Sequence, residues 1–320
     1  MEQSSRLEHF SISFFSIVLG LSGLALVFVK LSELFHSLYV VSQILTGVGL
    51  VSFLLVAMIF GIRLLRYPKV VAKEFAHPIK MNFYPLISKI FLIQSVIFLS
   101  FQKQVSLTFW LIGVVIQTIF IFSLVSTWIG PKNFEIHHIN PAWFMPVVGS
   151  IMIPIAGVEH GYRELSWFFF AIGFILWVVL FTIVMYRVIF HAPLAERLIP
   201  TLFILFAPPA IGFISYYKLT GSFDSFARVM FYFGIFLFIL VVMQWRQFIT
   251  IKFYLSWWAY SFPLAALTVS TILMYRVSKI YFYKSFAIGL AVVLSLVVLY
   301  LVFRTLQEIR NKSLCIEEKE

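Results

Sequence analysis

Ser256-Trp257-Trp258-Ala259-Tyr260-Ser261-Phe262-Pro263-Leu264-Ala265-Ala266 lies inside an apolar run of helical length, yet it holds a proline, two serines and four aromatic residues. A proline within a membrane span removes one backbone hydrogen bond and bends the helix. Hydrocarbon offers no water in exchange, so such a break belongs against protein or a wet cavity. Phe262 stands beside the break, where a bent helix comes closest to whatever it bends around. The stretch therefore predicts a pore-lining helix with Phe262 obstructing the path.

The rest of the chain fits a membrane setting. Of 320 residues, 62% are hydrophobic and 12% charged, with a mean hydropathy of +1.00; soluble domains are nearer half apolar and a quarter charged. The single cysteine, Cys315, falls in the charged tail and leaves no disulfide or thiolate cluster to read. The net charge of +11 suits anion handling, and equally the positive-inside bias of any inner-membrane protein. The first apolar run, Phe10 to Val29, has no basic stretch before it, so no cleavable signal is expected.

Ten runs have the length a bilayer requires: 10–29, 38–62, 82–101, 106–130, 141–158, 165–190, 199–217, 225–245, 253–275 and 280–303. The expected fold is all-α and integral to the membrane, one domain over 1–320 with short tails at 1–9 and 304–320. An even number of spans puts both termini on one side. That side holds about 15 Lys and Arg, among them Arg63, Arg66, Lys69, Lys73, Lys80, Lys132 and Lys319, against about 8 on the other. Both termini are expected to be cytoplasmic, in a bacterial inner (plasma) membrane.

Proline placement supplies the internal pattern. Pro85 falls in the third span, Pro146 and Pro154 in the fifth, Pro208 and Pro209 in the seventh and Pro263 in the ninth, with none in the even-numbered spans. The first span has Gly20 and Gly23 instead. This alternation predicts five helical hairpins, each a kinked helix followed by a plain one. The kinked five form an inner ring around a central pore, and the plain five face lipid. In Asn140-Pro141-Ala142-Trp143-Phe144-Met145-Pro146-Val147-Val148-Gly149-Ser150 the small residues Ala142, Pro146, Gly149 and, further on, Ala156 share one side. Such a stripe serves close helix packing or leaves room for a conduit, and both readings stay open.

Three segments together resemble a known family: Trp257-Trp258-Ala259-Tyr260-Ser261-Phe262-Pro263, Asn140-Pro141-Ala142-Trp143 leading into Pro146-Val147-Val148-Gly149, and His77-Pro78 followed by Asn82-Phe83. The chain resembles the tellurite-resistance/dicarboxylate transporter family, which includes bacterial TehA and the plant slow anion channels. The resemblance implies an inner ring of five kinked helices, an aromatic plug on the ninth helix and a homotrimer with one pore per subunit. The plug falls on Phe262 and the kinks on Pro85, Pro146, Pro154, Pro208, Pro209 and Pro263. The first helix departs from that pattern in having glycines only. Family substrates range from chloride and nitrate to malate, sulfite and tellurite, so membership does not select the ion.

Residue chemistry agrees with anion passage. No acidic residue lies deep in a span, whereas cation pores and proton-coupled carriers need carboxylates at membrane depth. Lys89 is the charge within a span; it either attracts anions into the inner half of the pore or snorkels to the near interface. Hydroxyls of Ser16, Ser88, Ser95, Ser150, Ser215, Ser261 and Thr268 either face a passing anion or bond their own helix one turn back. The seven histidines read as surface residues, and Trp128, Trp143, Trp167 and Trp257 as interface anchors. No nucleophile–base pair or metal-ligand spacing appears at membrane depth, so neither an enzyme nor a cofactor is expected. The basic loop from Arg63 to Lys80 suits lipid headgroups better than nucleic acid. The sequence thus predicts a channel or facilitator for small monovalent anions, with a coupled carrier of C4-dicarboxylates, sulfite or tellurite as the alternative. Its partners are small inorganic or organic anions, membrane lipid and two further copies of the chain.

Overall fold

The computed structural model describes residues 6–130 and 134–315; Lys132 and Lys319, counted above among the inside charges, lie outside them. Among the described residues the chain is helical throughout, without strands. Nine helical segments there are long and apolar enough to cross a membrane, and Pro141–Gly157 is a shorter apolar helix. Ten long spans were expected; the fifth is the one that falls short.

Two kinds of helix alternate. Unbroken α-helices form α2 (Tyr39–Arg66), α5 (Lys103–Ile129), α7 (Arg163–Phe190), α9 (Ser225–Met243) and α12 (Tyr281–Arg310). Shorter ones form α1 (Phe15–Ser32), α4 (Leu86–Phe98), α6 (Phe144–Gly157), α8 (Ala207–Thr220) and α11 (Ser261–Ser278). Two small helices, α3 (Pro68–Ala76) and α10 (Trp245–Ile249), lie in connections. Each helix of the shorter set is preceded by a 3₁₀ segment: Ile12–Phe14, Lys80–Phe83, Pro141–Trp143, Glu196–Phe206 and Leu255–Tyr260.

The prolines sit at these changes of winding. Pro85 immediately precedes α4, Pro146 and Pro263 are third in their α-helices, and Pro208 and Pro209 lie in the first turn of α8. A helix's first turn has no intrahelical acceptor for its N–H groups, so proline costs little there. Only Pro154 occupies a helix interior in this set. The expected mid-span kinks are thus replaced, at all positions but Pro154, by a 3₁₀-to-α transition at the head of the helix. The first helix, which has no proline, makes the same transition after Ile12–Phe14.

Burial separates the two sets. In their apolar windows α1, α4, α8 and α11 with their lead-ins have 67–89% of residues buried, against 28–33% for α2, α5, α7, α9 and α12; all of α6 is buried. Each shorter helix packs on the longer one that follows it. The shorter helices also touch one another, from α1 to α4, α6, α8, α11 and back to α1. Large apolar side chains such as Leu54, Val115, Ile175, Phe236 and Leu296 project from the longer helices.

Close approach between α1 and α11 depends on Gly20. A Cβ at that position would collide with Ser261 Oγ and stand 2.7 Å from Trp258 Cε3. Gly47 on α2, by contrast, has open space around it. Gly20→Ala is expected to lower stability by about 1–3 kcal/mol through overpacking. Gly47→Ala should hold or gain stability, because a helical glycine is disfavoured by roughly 0.5–1 kcal/mol relative to alanine. Thermal unfolding of both variants in detergent checks the contrast.

Candidate functional site

Two cavities lie between α1, α4, α6, α8 and α11. The larger, about 1080 Å³, is lined by the N-terminal parts of those helices and their lead-ins, and by the N- and C-terminal segments. The smaller, about 300 Å³, is lined by the later turns of the same five helices. The lining residues recur every three or four positions: Leu86, Lys89, Ile93 and Val96 on α4, and Met145, Val148, Met152 and Ile155 on α6. Ile204, Ala207, Ile211 and Ile214 continue the pattern through the lead-in of α8. Such spacing places each set on one helix face. Sequence reading missed these stripes because their signal, Leu, Ile, Val and Met at helical spacing, is the same one that ordinary packing gives.

Among the described residues Phe262 is the one that lines both cavities. It is 9% exposed. Its aromatic neighbours are all held: Trp258 Nε1 donates to Thr305 Oγ1 at 3.0 Å, Trp257 Nε1 donates to Lys252 O at 2.9 Å, and the Tyr260 ring lies 4.6 Å from that of Phe203. Phe262 has no aromatic ring beside it among the described residues. Across from it is Gly23, where a Cβ would lie 3.8 Å from Phe262 Cδ2.

Of the other residues singled out from sequence, Pro263, Lys89 and Ser16 line the larger cavity. Lys89 is 2% exposed; its amide donates to Pro85 O at 3.2 Å, and its ammonium makes no hydrogen bond or ion pair among the described residues. Gly20, Gly23, Pro85, Pro146, Gly149, Pro154, Pro208, Pro209 and Ser261 line neither cavity. Their places are at helix heads and helix contacts instead; a Cβ on Gly149 would collide with Gln117 of α5. The Ser261 hydroxyl donates to Trp258 O at 2.6 Å, Ser16 to Ser13 O at 2.6 Å and Thr268 to Leu264 O at 2.7 Å. These hydroxyl protons are spent on their own helices.

Several polar residues have partners that the sequence did not disclose. Gln117 donates to Pro146 O at 2.5 Å and to Ser150 Oγ at 3.1 Å, and accepts from Ser88 at 2.7 Å. His160 and Ser106 share a hydrogen bond of 2.8 Å. His138 Nδ1 accepts from the Glu135 amide at 3.0 Å. Trp143, expected as an interface anchor, is 6% exposed and stacks on Trp128 at 5.1 Å.

Charge is concentrated at the two mouths. At the larger cavity Arg63 and Glu74 form a buried pair at 2.5 Å. Arg63 also donates to Glu8 O at 3.0 Å, and Glu74 accepts from Ser11 Oγ at 2.9 Å and the Ile12 amide at 3.2 Å. At the smaller cavity Lys30 and Arg276 both pair with Glu33, and Lys218 pairs with Glu159, each at 2.6 Å. Burial works against the Glu33 carboxylate, yet Lys30 and Arg276 hold its pKa below the usual value. The hydrogen bond from Lys218 does the same for Glu159.

Residues 9–306 match the family described as SLAC1, voltage-dependent anion channel. The chain belongs to this family. It is 28% identical over 299 residues to an uncharacterized transporter of Methanocaldococcus jannaschii, covering 85% of this chain and 87% of that one. It is 28% identical over 274 residues to the S-type anion channel SLAH2 of Arabidopsis thaliana, covering 83% of this chain and 53% of the plant protein. A tellurite resistance protein TehA homolog of Haemophilus influenzae is 25% identical over 265 residues, covering 82% and 80%. The chain spans about half the length of that plant relative. The resemblance read from Trp257–Pro263 and Asn140–Gly149 therefore holds at the level of the family.

Glu74→Ala leaves the Arg63 guanidinium buried without its counter-ion, and is expected to cost about 3–5 kcal/mol. Pairing it with Arg63→Met should recover much of the loss, because an apolar replacement of both partners removes the stranded charge. Unfolding of the two single variants and the double variant in detergent measures the coupling.

Proposed function

We propose that the chain is an anion channel or facilitator that passes small monovalent anions of the chloride or nitrate kind down their gradient. In this reading α1, α4, α6, α8 and α11 encircle a pathway within one subunit, and α2, α5, α7, α9 and α12 face lipid. The two cavities are its inner and outer vestibules. The observation that carries the reading is Phe262, common to both cavities. A phenyl ring across an apolar constriction excludes water, and a dewetted constriction blocks hydrated ions until the ring turns aside. The absence of an aromatic partner for this ring among the described residues, and the cavities on either side of it, support that movement.

Other features support the same reading. An unpaired ammonium buried at Lys89 raises the potential of the inner vestibule, and five helix N-termini near that vestibule act in the same sense. Stripes of Leu, Ile, Val and Met offer an ion no ligands, so selectivity follows how readily it sheds water. In this reading both termini are cytoplasmic and the membrane is a bacterial inner membrane; the Lys and Arg count supports the orientation. A homotrimer, implied by resemblance, would carry three independent pathways. Bound nucleic acid and cofactors have no part in this reading. The tellurite-resistance relative keeps a coupled carrier of dicarboxylates, sulfite or tellurite as the competing mechanism.

Anion-replacement recordings on the purified protein in bilayers test the proposal. Phe262→Ala should raise anion conductance severalfold at equal expression, and Lys89→Met should lower it. Unchanged current in Phe262→Ala removes the gate. A flux that saturates and depends on protons replaces the channel by the carrier.

A further inference from the structure

Three cations line the outer vestibule, each from a different helix: Lys30 on α1, Lys218 on α8 and Arg276 on α11. Glu33 and Glu159, which neutralise them, do not line it. Two carboxylates against three cations leave one positive charge unbalanced over a cavity that ends at Phe262. The side chains of these pairs are 23–44% exposed. Ion pairs this open to water are weak, so a free anion can compete with the carboxylates.

We propose that the outer vestibule is a second anion site, at which one small monovalent anion competes with Glu33 and Glu159 for Lys30, Arg276 and Lys218. The inference rests on the reading that anions use this pathway. A mobile anion entering from outside meets the cations before it meets the apolar constriction, and the carboxylates set how tightly it is held. Tight holding would slow passage, so partial masking suits a conduit.

The surroundings add few other charges. Ser100 Oγ lies 3.4 Å from Glu33, and Tyr217 lines the cavity. Lys103 acts on Glu159 and on His160. Lys279 follows α11, and Lys284 is taken up by the rings of Phe35 and Tyr275. Acid on this side works in the same direction as removing a carboxylate. Both carboxyls titrate below the ordinary value of 4.5, so they stay ionised until the pH falls beneath it, and the site tightens only there. His160, held below its usual 6.5 by burial and by Lys103, gains its charge on the way down; His160→Gln removes that contribution.

Chloride-35 NMR line broadening on the purified full-length protein in detergent reads binding without requiring conduction. Glu159→Gln and Glu33→Gln should each tighten chloride binding about two- to fivefold at neutral pH, the span that weak exposed pairs allow. Lys218→Gln and Arg276→Gln should loosen it. Glu159 pairs with Lys218 alone among these cations, so its variant decides the matter if the Glu33 variant fails to fold. In His160→Gln, acidification should tighten binding only below pH 4.5. Chloride affinity that ignores all four substitutions overturns the site. Absence of current in Phe262→Ala would sink the pathway instead, and the binding data would still stand or fall separately.

Discussion

A polypeptide in hydrocarbon must satisfy its backbone polar groups internally. That constraint decides which parts of this chain can be irregular. Apart from His36–Leu38 ahead of α2, the 3₁₀ lead-ins, the prolines beside them and the interior Pro154 belong to α1, α4, α6, α8 and α11, the set with high burial. Helix α6 shows how the demand is met by neighbours. Its carbonyls at Pro146, Ile153 and Ile151 receive Gln117 and Trp110 from α5 and Ser215 from α8. The exposed α-helices contain no proline, since lipid could not repair the break it makes.

Charge follows the same economy. A charge inside a membrane protein is costly unless paired, and the buried Arg63 is paired with Glu74 while also fastening the N-terminal segment through Glu8. Arg187 is buried with the Ala192 carbonyl as its partner, and the Lys89 ammonium lies beside the larger cavity with none among the described residues. An unpaired cation facing an enclosed space has a natural counter-charge in whatever anion enters that space. At the smaller cavity Lys30, Lys218 and Arg276 are moderated by Glu33 and Glu159.

Phe262 separates itself from its aromatic neighbours by what it lacks. Trp257, Trp258 and Tyr260 are fixed by hydrogen bonds or ring contacts, and Phe262 rests opposite a glycine between two cavities. One segment thus supplies both the anchored aromatic residues and the side chain common to the two cavities.

Class, span count to within one short helix, the alternation of two helix types and the family were legible in the sequence, because hydropathy and proline placement are local quantities. Phe262 and Lys89 were legible too, one through its motif and the other as a lone charge in an apolar run. Distance in the chain hid the rest. Whether Gly20 or Gly149 faces a conduit or a neighbouring helix depends on where Ser261 and Gln117 come to lie. Glu74 looked like a loop acid until folding set it against Arg63. The stripes of Leu, Ile, Val and Met could be read only after five helices had been assembled, since apolar periodicity says that a face is covered and never by what. The sequence by itself determined that two kinds of apolar helix alternate in a membrane; the tertiary structure decided which faces meet a cavity, because that follows from packing between segments far apart in the chain.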